Sequence, residues 1–180
     1  LSQVDSSIGG KNGINSSNGK NLIGTFYQPN QVIIDPKILY TLPTKEIRCG
    51  YAEIVKHSLI YDKKFFYWLD NNWNEIFKLN LKKLEEAIYK SILIKLNYVK
   101  KDFKENLINN KSRAILNFGH SFGHALETFY KYKINHGEAI SIGMIIESKI
   151  SNILGFLSDD HLEKIINHFS TCGLKINDKN

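Results

Sequence analysis

From residue 44 onward, apolar side chains return every three or four residues, the interval that keeps them on one face of an α-helix. Ile47, Tyr51, Ile54 and Ser58 mark such a face over residues 44–61, with Thr44 or a neighbour placed to cap its start. The same reading predicts helices over 65–79, 81–104, 114–131, 137–155 and 160–172, with Gly155 and Gly173 where a helix ends most easily in a left-handed residue. The polar stretch ENLINNKS at 105–112 reads as a loop. Before residue 44 the pattern changes. Residues 1–30 are rich in Gly, Ser and Asn and read as loop, while QVIID at 31–35 is β-branched and reads as a short strand ended by Pro36. A lone strand leaves its backbone N–H and C=O groups unpaired, so this one requires partners that the remaining pattern does not supply. The expected class is mainly α, with the helical domain over 44–180 and the loop-rich start over 1–43.

Composition narrows the setting. A chain of 180 residues, 42% hydrophobic and 23% charged, is long enough for one globular domain with a substantial core. No apolar run reaches the roughly 18 residues of a membrane span, since even 139–146 is bounded by Glu138 and Glu147. The first residues carry neither a basic nor an apolar leader pattern, so a cytoplasmic location is expected, with no membrane partner. Cys49 and Cys172 stand far apart and are expected to be free thiols. The net charge of +6 attracts anions of any kind. Dispersed lysines without an accompanying motif of stacking aromatics argue against nucleic acid.

Candidate chemistry concentrates in three places. In NFGHSFGHALE at 117–127, His120 and His124 stand four apart, able to share one helix face and one metal. Gly119 and Gly123, each costing about 1 kcal/mol inside a helix, predict close approach of another backbone or a ligand. In NHGEA at 135–139, His136 opens the next helix; in AEIVKH at 52–57, Glu53 and Lys56 share one turn. Each is ordinary alone, as a surface ion pair or a solvated histidine. Together they supply an acid and several imidazoles, enough for a three-ligand catalytic zinc with an open position.

DSSIGGK at 5–11, GKNLIG at 19–24, YQP at 27–29, TLP at 41–43, AEIVK at 52–56, LNFGHSFGHA at 116–125 and HGEA at 136–139 together resemble the motifs of the 3-dehydroquinate synthase family, in family order. The resemblance runs to about Gly155. It implies a helical C-terminal domain behind a short, Rossmann-like α/β remnant with parallel strands, NAD and zinc or cobalt as cofactors, and a homodimer in the full-length enzyme. The implied reaction converts 3-deoxy-D-arabino-heptulosonate 7-phosphate to 3-dehydroquinate and phosphate, in the shikimate pathway to aromatic amino acids. Carried over residue by residue, Glu53, His120 and His136 become the metal ligands, and His124 moves from ligand to acid/base group. Glu105 and Lys56 join it as catalytic residues. Asp5, Lys11, Asn21, Lys56, Lys95, Arg113 and Asn117 become substrate contacts, while Lys11, Lys20, Ile38, Leu39, Tyr40 and Thr41 touch NAD.

The chain departs from the family pattern in places. Asn12 and Ser121 stand where Thr is usual, Cys49 replaces a residue that is polar in some relatives, and 106–112 reads as an insertion that loosens the placement of Glu105. The family's glycine-rich nucleotide domain and its C-terminal end fall outside these residues, so the resemblance implies about half an enzyme, inactive on its own. Competing readings are a related sugar phosphate cyclase, such as one making 2-deoxy-scyllo-inosose, a metal-dependent alcohol dehydrogenase, and a non-catalytic helical fragment.

Overall fold

A computed structural model describes residues 1–16, 19–109 and 111–178, and at 15 and 19–21 the backbone alone. Six α-helices among the described residues make up the body: α1 (Thr44–Tyr61), α2 (Lys63–Phe77), α3 (Leu81–Lys101), α4 (His120–Phe129), α5 (His136–Ile153) and α6 (Asp159–Cys172). The starts of α2, α3, α5 and α6 are fixed by the residues that sequence logic favours. The Asp62 carboxylate accepts from Lys64 N and Phe65 N to open α2, Ser158 caps α6, and Asn135 forms a reciprocal capping box with Glu138 at the head of α5. Gly173 ends α6 at φ +73°, and Gly155 follows α5 at φ +77°.

α1 is the axis of the domain, packed by α2, α3 and α5. Its middle is buried on every side, from Cys49 to Ser58, and that buried stretch includes Glu53, Lys56 and His57. Charged side chains are almost never fully buried unless paired, so three ionisable groups at the core of the most enclosed helix mark a site and not a packing device. A separate hydrogen-bonded chain runs from exposed Asp70 to buried His168 and Tyr51 and ties α2 and α6 to α1. No helix among the described residues is long and apolar enough to cross a membrane.

Three expectations are corrected. The strand at 31–35 does not form. Instead, β1 (Lys11–Ser16) and β2 (Gly19–Phe26) pair as an antiparallel hairpin inside the segment read as loop, with Ile14 opposite Ile23 and Gly13 opposite Gly24. QVIID has strand propensity but no neighbour to pair with among the described residues, and propensity without a ladder is not a strand. For the same reason no parallel sheet is present among the described residues. The helix expected over 114–131 is broken: a 3-10 turn covers Arg113–Asn117, and α4 starts afresh at His120. Gly119 is the cause. At φ +78° it is left-handed, a conformation that interrupts a right-handed helix and that glycine tolerates best.

Close approach of a second backbone explains the glycines of this region. A Cβ on Gly143 of α5 would stand 2.0 Å from the carbonyl oxygen of Gly119, and one on Gly123 would stand 2.5 Å from Ile140 Cδ1. α4 and α5 therefore pack backbone to backbone, which brings the rings of His120 and His136 to 5.5 Å between centroids.

Candidate metal and substrate site

Glu53 is completely buried, and its Oε1 faces His136 Nε2 at 3.4 Å and His120 Nε2 at 3.8 Å. One ligand atom from each of the three lies within 4.8 Å of the others. Each imidazole is turned so that Nε2 points inward. His120 Nδ1 donates to the Phe118 carbonyl at 3.2 Å, and His136 Nδ1 donates to Glu127 Oε1 at 3.1 Å. A ring whose Nδ1 carries the donated hydrogen offers the Nε2 lone pair, the form in which imidazole binds a cation. Glu53 Oε1 has no hydrogen-bond donor among the described residues, which is costly for a buried carboxylate oxygen and ordinary for one that holds an ion. One carboxylate oxygen and two imidazole nitrogens are a donor set that suits Zn2+ or Co2+, so the residues fit the implied metal.

The field around this point keeps Glu53 and His120 in binding form. Burial alone would raise the Glu53 carboxyl, but Lys56, which meets its other oxygen one turn on, together with His136 and His120, holds it well below the usual range. Lys56 is likewise penalised by burial, yet Glu53 and Asp5 carry its pKa above the ordinary value. Burial and the Lys56 charge push His120 down to about 4, so it is neutral at pH 7. His136 goes up, because Glu53 and Glu127 outweigh its burial.

A cavity of about 580 Å³ opens beside the cluster, lined by Lys11, Lys56, Lys95, Arg113, Asn117 and His124 among others. Lys95 meets both the carboxylate and the backbone carbonyl of Asp5. Arg113 is buried, and its Nη1 donates to Gly9 O at 2.7 Å and Phe103 O at 3.1 Å, which leaves the rest of the guanidinium for the cavity. Gly9 permits this approach, since a Cβ there would stand 2.4 Å from Nη2. Asp102 holds the loop that precedes Arg113, accepting from the backbone N–H groups of Asn106, Leu107 and Arg113. Glu105, at φ +58°, meets the Lys11 ammonium and accepts from Asn117 Nδ2 at 3.0 Å. Burial would raise its carboxyl, but Lys11, Asn117 and Arg113 prevail and lower it.

Of the residues expected at the site, the structure thus gathers Asp5, Lys11, Glu53, Lys56, Lys95, Arg113, Asn117, His120, His124 and His136 around one cavity, with Glu105 at its edge through Lys11. His124 lines the cavity with its ring 5.3 Å from that of His120, outside the trio that includes Glu53. It does form a second possible trio with Glu127 and His136. Ile38, Leu39, Tyr40 and Thr41 fall on the 3-10 turn Pro36–Thr41 and do not line the cavity. The side chains of Lys20 and Asn21 lie outside what is described. Sequence reasoning missed Glu127, although it sits in the motif NFGHSFGHALE, because nothing in helical spacing joins it to His136. It missed His57 for the same reason: this buried imidazole bonds Ser91 Oγ at 2.7 Å on α3.

Burial and Lys56 push His57 down to about 3. Between that value and the ordinary 6.5 the unfolded chain binds a proton that the folded chain refuses, so folding stability falls as pH drops through this window. His120 acts in the same direction. Urea unfolding of the metal-free chain between pH 6 and 4 is expected to lose stability, and His57→Asn to reduce that slope by up to about 1.4 kcal/mol per pH unit. Parallel slopes for the two proteins would show that His57 is accessible to protons.

The same backbone recurs in solved structures. A 2-epi-5-epi-valiolone synthase from Streptomyces hygroscopicus subsp. jinggangensis 5008, with NAD+ and Zn2+ bound, matches at TM-score 0.90 and 26% identity over 98% of this chain and 48% of that one. A 2-deoxy-scyllo-inosose synthase complexed with carbaglucose-6-phosphate, NAD+ and Co2+ matches at TM-score 0.82 and 31% identity over 96% of this chain and 46% of that one. The helical body is thus built on the plan of the sugar phosphate cyclases. Within that class the family model "3-dehydroquinate synthase C-terminal" matches residues 50–180 and "3-dehydroquinate synthase N-terminal" matches 1–49, and the chain belongs to the 3-dehydroquinate synthase family. The 3-dehydroquinate synthases of Buchnera aphidicola subsp. Cinara cedri (strain Cc) and Pelagibacter ubique (strain HTCC1062) are 49% and 48% identical to it over 98% and 97% of its length, and it covers 47% of each. The chain therefore spans about half the length of the curated relatives it matches.

Proposed function

We propose that this chain is the metal- and substrate-binding half of a 3-dehydroquinate synthase, acting on 3-deoxy-D-arabino-heptulosonate 7-phosphate, with residues 1–43 belonging to the nucleotide-binding half and 44–180 to the helical domain. The observation that carries the reading is a buried Glu53–His120–His136 cluster opening onto a cavity whose charged walls are mostly cationic. Glu105, Glu53 and Asp5 pair with Lys11, Lys56 and Lys95, yet the charges of Lys56 and Arg113 still bear on Lys95, and a ligand with both phosphate and carboxylate relieves that repulsion.

Glu53, His120 and His136 would hold the metal. When bound, Zn2+ or Co2+ supplies a Lewis acid that lowers the pKa of a coordinated hydroxyl. The chain's own residues then bind and orient. Arg113 and Lys95 take the anionic ends, Asn117 offers an amide between them, and Lys56 keeps Glu53 ionised. His124, beside the metal trio and on the cavity wall, is positioned to hold or pass a proton. Glu105, ionised and steadied by Lys11 and Asn117, is the second proton-handling group. NAD is the hydride acceptor that the family reading brings. Of the residues assigned to it here, Lys11 lines the cavity and Ile38, Leu39, Tyr40 and Thr41 do not, so the roles above are those of binding and proton handling alone.

A related cyclase without a substrate carboxylate is the second reading, favoured by the inosose synthase likeness at 31% identity. The higher identity to enzymes named 3-dehydroquinate synthase supports the first. The test is phosphate release by the full-length protein that carries this chain, offered the heptulosonate phosphate or glucose 6-phosphate, with and without chelator. Chelator-sensitive release from the heptulosonate alone is expected; release from glucose 6-phosphate alone would overturn the assignment. Arg113→Ala in that protein should raise KM for the heptulosonate by about 10- to 100-fold, the loss of a charge-assisted contact of roughly 1.5–3 kcal/mol. Unchanged kinetics would remove Arg113 from the site.

A further inference from the structure

His120 and His136 share an unusual position: each is the first residue of its helix, where backbone freedom is greatest. α4 also lacks an ordinary cap, since Gly119 has no side chain to offer. The missing acceptor comes from the other helix. Glu147 of α5 places Oε2 2.8 Å from Gly119 N and also accepts from Ser121 N, so a carboxylate stands at the start of α4, on either side of His120. In the opposite direction Glu127 of α4, 4% exposed, reaches the start of α5 and accepts from His136 Nδ1. Neither glutamate belongs to the trio that includes Glu53.

We propose that Glu127 and Glu147 form a crossed clamp in which each helix supplies the carboxylate that fixes the other helix's ligand histidine, so that both Nε2 atoms are aimed before a metal arrives. This rests on the reading of Glu53, His120 and His136 as the metal site. Glu127 sets the tautomer and rotation of His136, and its negative charge makes that imidazole a stronger donor. Glu147 fixes the backbone from which His120 projects, by neutralising free N–H groups at the positive end of α4. The arrangement needs the two helices in backbone contact, and Gly119, Gly123 and Gly143 provide it. Both glutamates are positioning residues that act through the histidines.

The test is titration of the 180-residue chain with Co2+, read as the visible d–d absorption and the Kd. Glu127→Ala and Glu147→Ala should each weaken Co2+ binding about 10- to 100-fold and alter the band shape. Glu127→Gln, which keeps an oxygen acceptor for Nδ1–H, should recover most of the affinity. Glu75→Ala, an exposed carboxylate on α2, should change nothing. Wild-type Kd and spectrum in both alanine variants would overturn the clamp while leaving the metal site standing. A wild-type chain that binds no Co2+, or a Kd indifferent to Glu53→Gln, would remove both. If the alanine variants do not fold, histidine 15N NMR of the Zn2+-loaded wild-type chain decides: a slowly exchanging Nδ1–H on His136 is expected, and a rapidly exchanging one overturns the proposal.

Discussion

Glu53→Gln is expected to weaken metal binding by at least two orders of magnitude and to abolish chelator-sensitive phosphate release by the full-length protein. A structural zinc site in a small peptide contributes about 10–16 kcal/mol across four ligands, so one ligand carries roughly 2.5–4 kcal/mol, or about 10²- to 10³-fold in Kd. The carboxylate contributes more than its share here, because it is the one anionic ligand and it sits in a fully buried, weakly screened place. Gln preserves the shape and leaves a neutral oxygen. Isothermal titration with Zn2+ measures the change, and a loss smaller than tenfold would show that Glu53 is not a ligand.

Lys56→Met should behave in a way that only a metal site explains. Without metal, the substitution strands the Glu53 carboxylate in the core, and breaking a buried pair of this kind costs about 3–5 kcal/mol. With Zn2+ bound, the cation takes over as counter-charge and most of that loss should disappear. Wild-type and variant chains unfolded with and without Zn2+ give the comparison: a large gap in the presence of chelator and a small one with metal. Equal destabilisation in both conditions would mean that Glu53 does not face the ion.

The helical part of the fold was legible because its signals are local. Asp62, Asn80, Asn135 and Ser158 cap helices whose apolar spacing begins just after them, and α1 has the bounds that spacing predicts. The break before His120 was not legible. A glycine inside a helical pattern costs only about 1 kcal/mol, and what makes Gly119 a terminus is Glu147, an acceptor from another helix. The hairpin was hidden for a similar reason. β1 is mostly polar, with Ile14 exposed, and its pairing with β2 owes nothing to a buried face.

The site was legible in part. Spacing alone would have joined His120 to His124, and the rings are indeed neighbours. Glu53, the residue that decides which pair of histidines faces the buried carboxylate, comes from α1, and only the packing of α5 against α1 brings it to His136. Cys49 and Gly137 make that contact: the Gly137 N–H donates to Cys49 Sγ at 3.1 Å, and a Cβ on Gly137 would stand 2.4 Å from Cys49 Cα. A spacing rule confined to one helix has no access to that crossing. The lysines were legible only through the family motifs, since Lys11, Lys56 and Lys95 come from three separate elements and look in sequence like ordinary surface charge.

Two trios that share His136 compete for an ion beside the cavity. Diffraction from crystals of the chain grown with Co2+, collected at the cobalt edge, separates them in one experiment. The anomalous peak should lie about 2.0–2.2 Å from Glu53 Oε1, His120 Nε2 and His136 Nε2, with His124 beside it and unbound. A peak held by His124 and Glu127, with Glu53 still paired to Lys56 alone, would contradict the assignment of Glu53, His120 and His136 as the metal ligands.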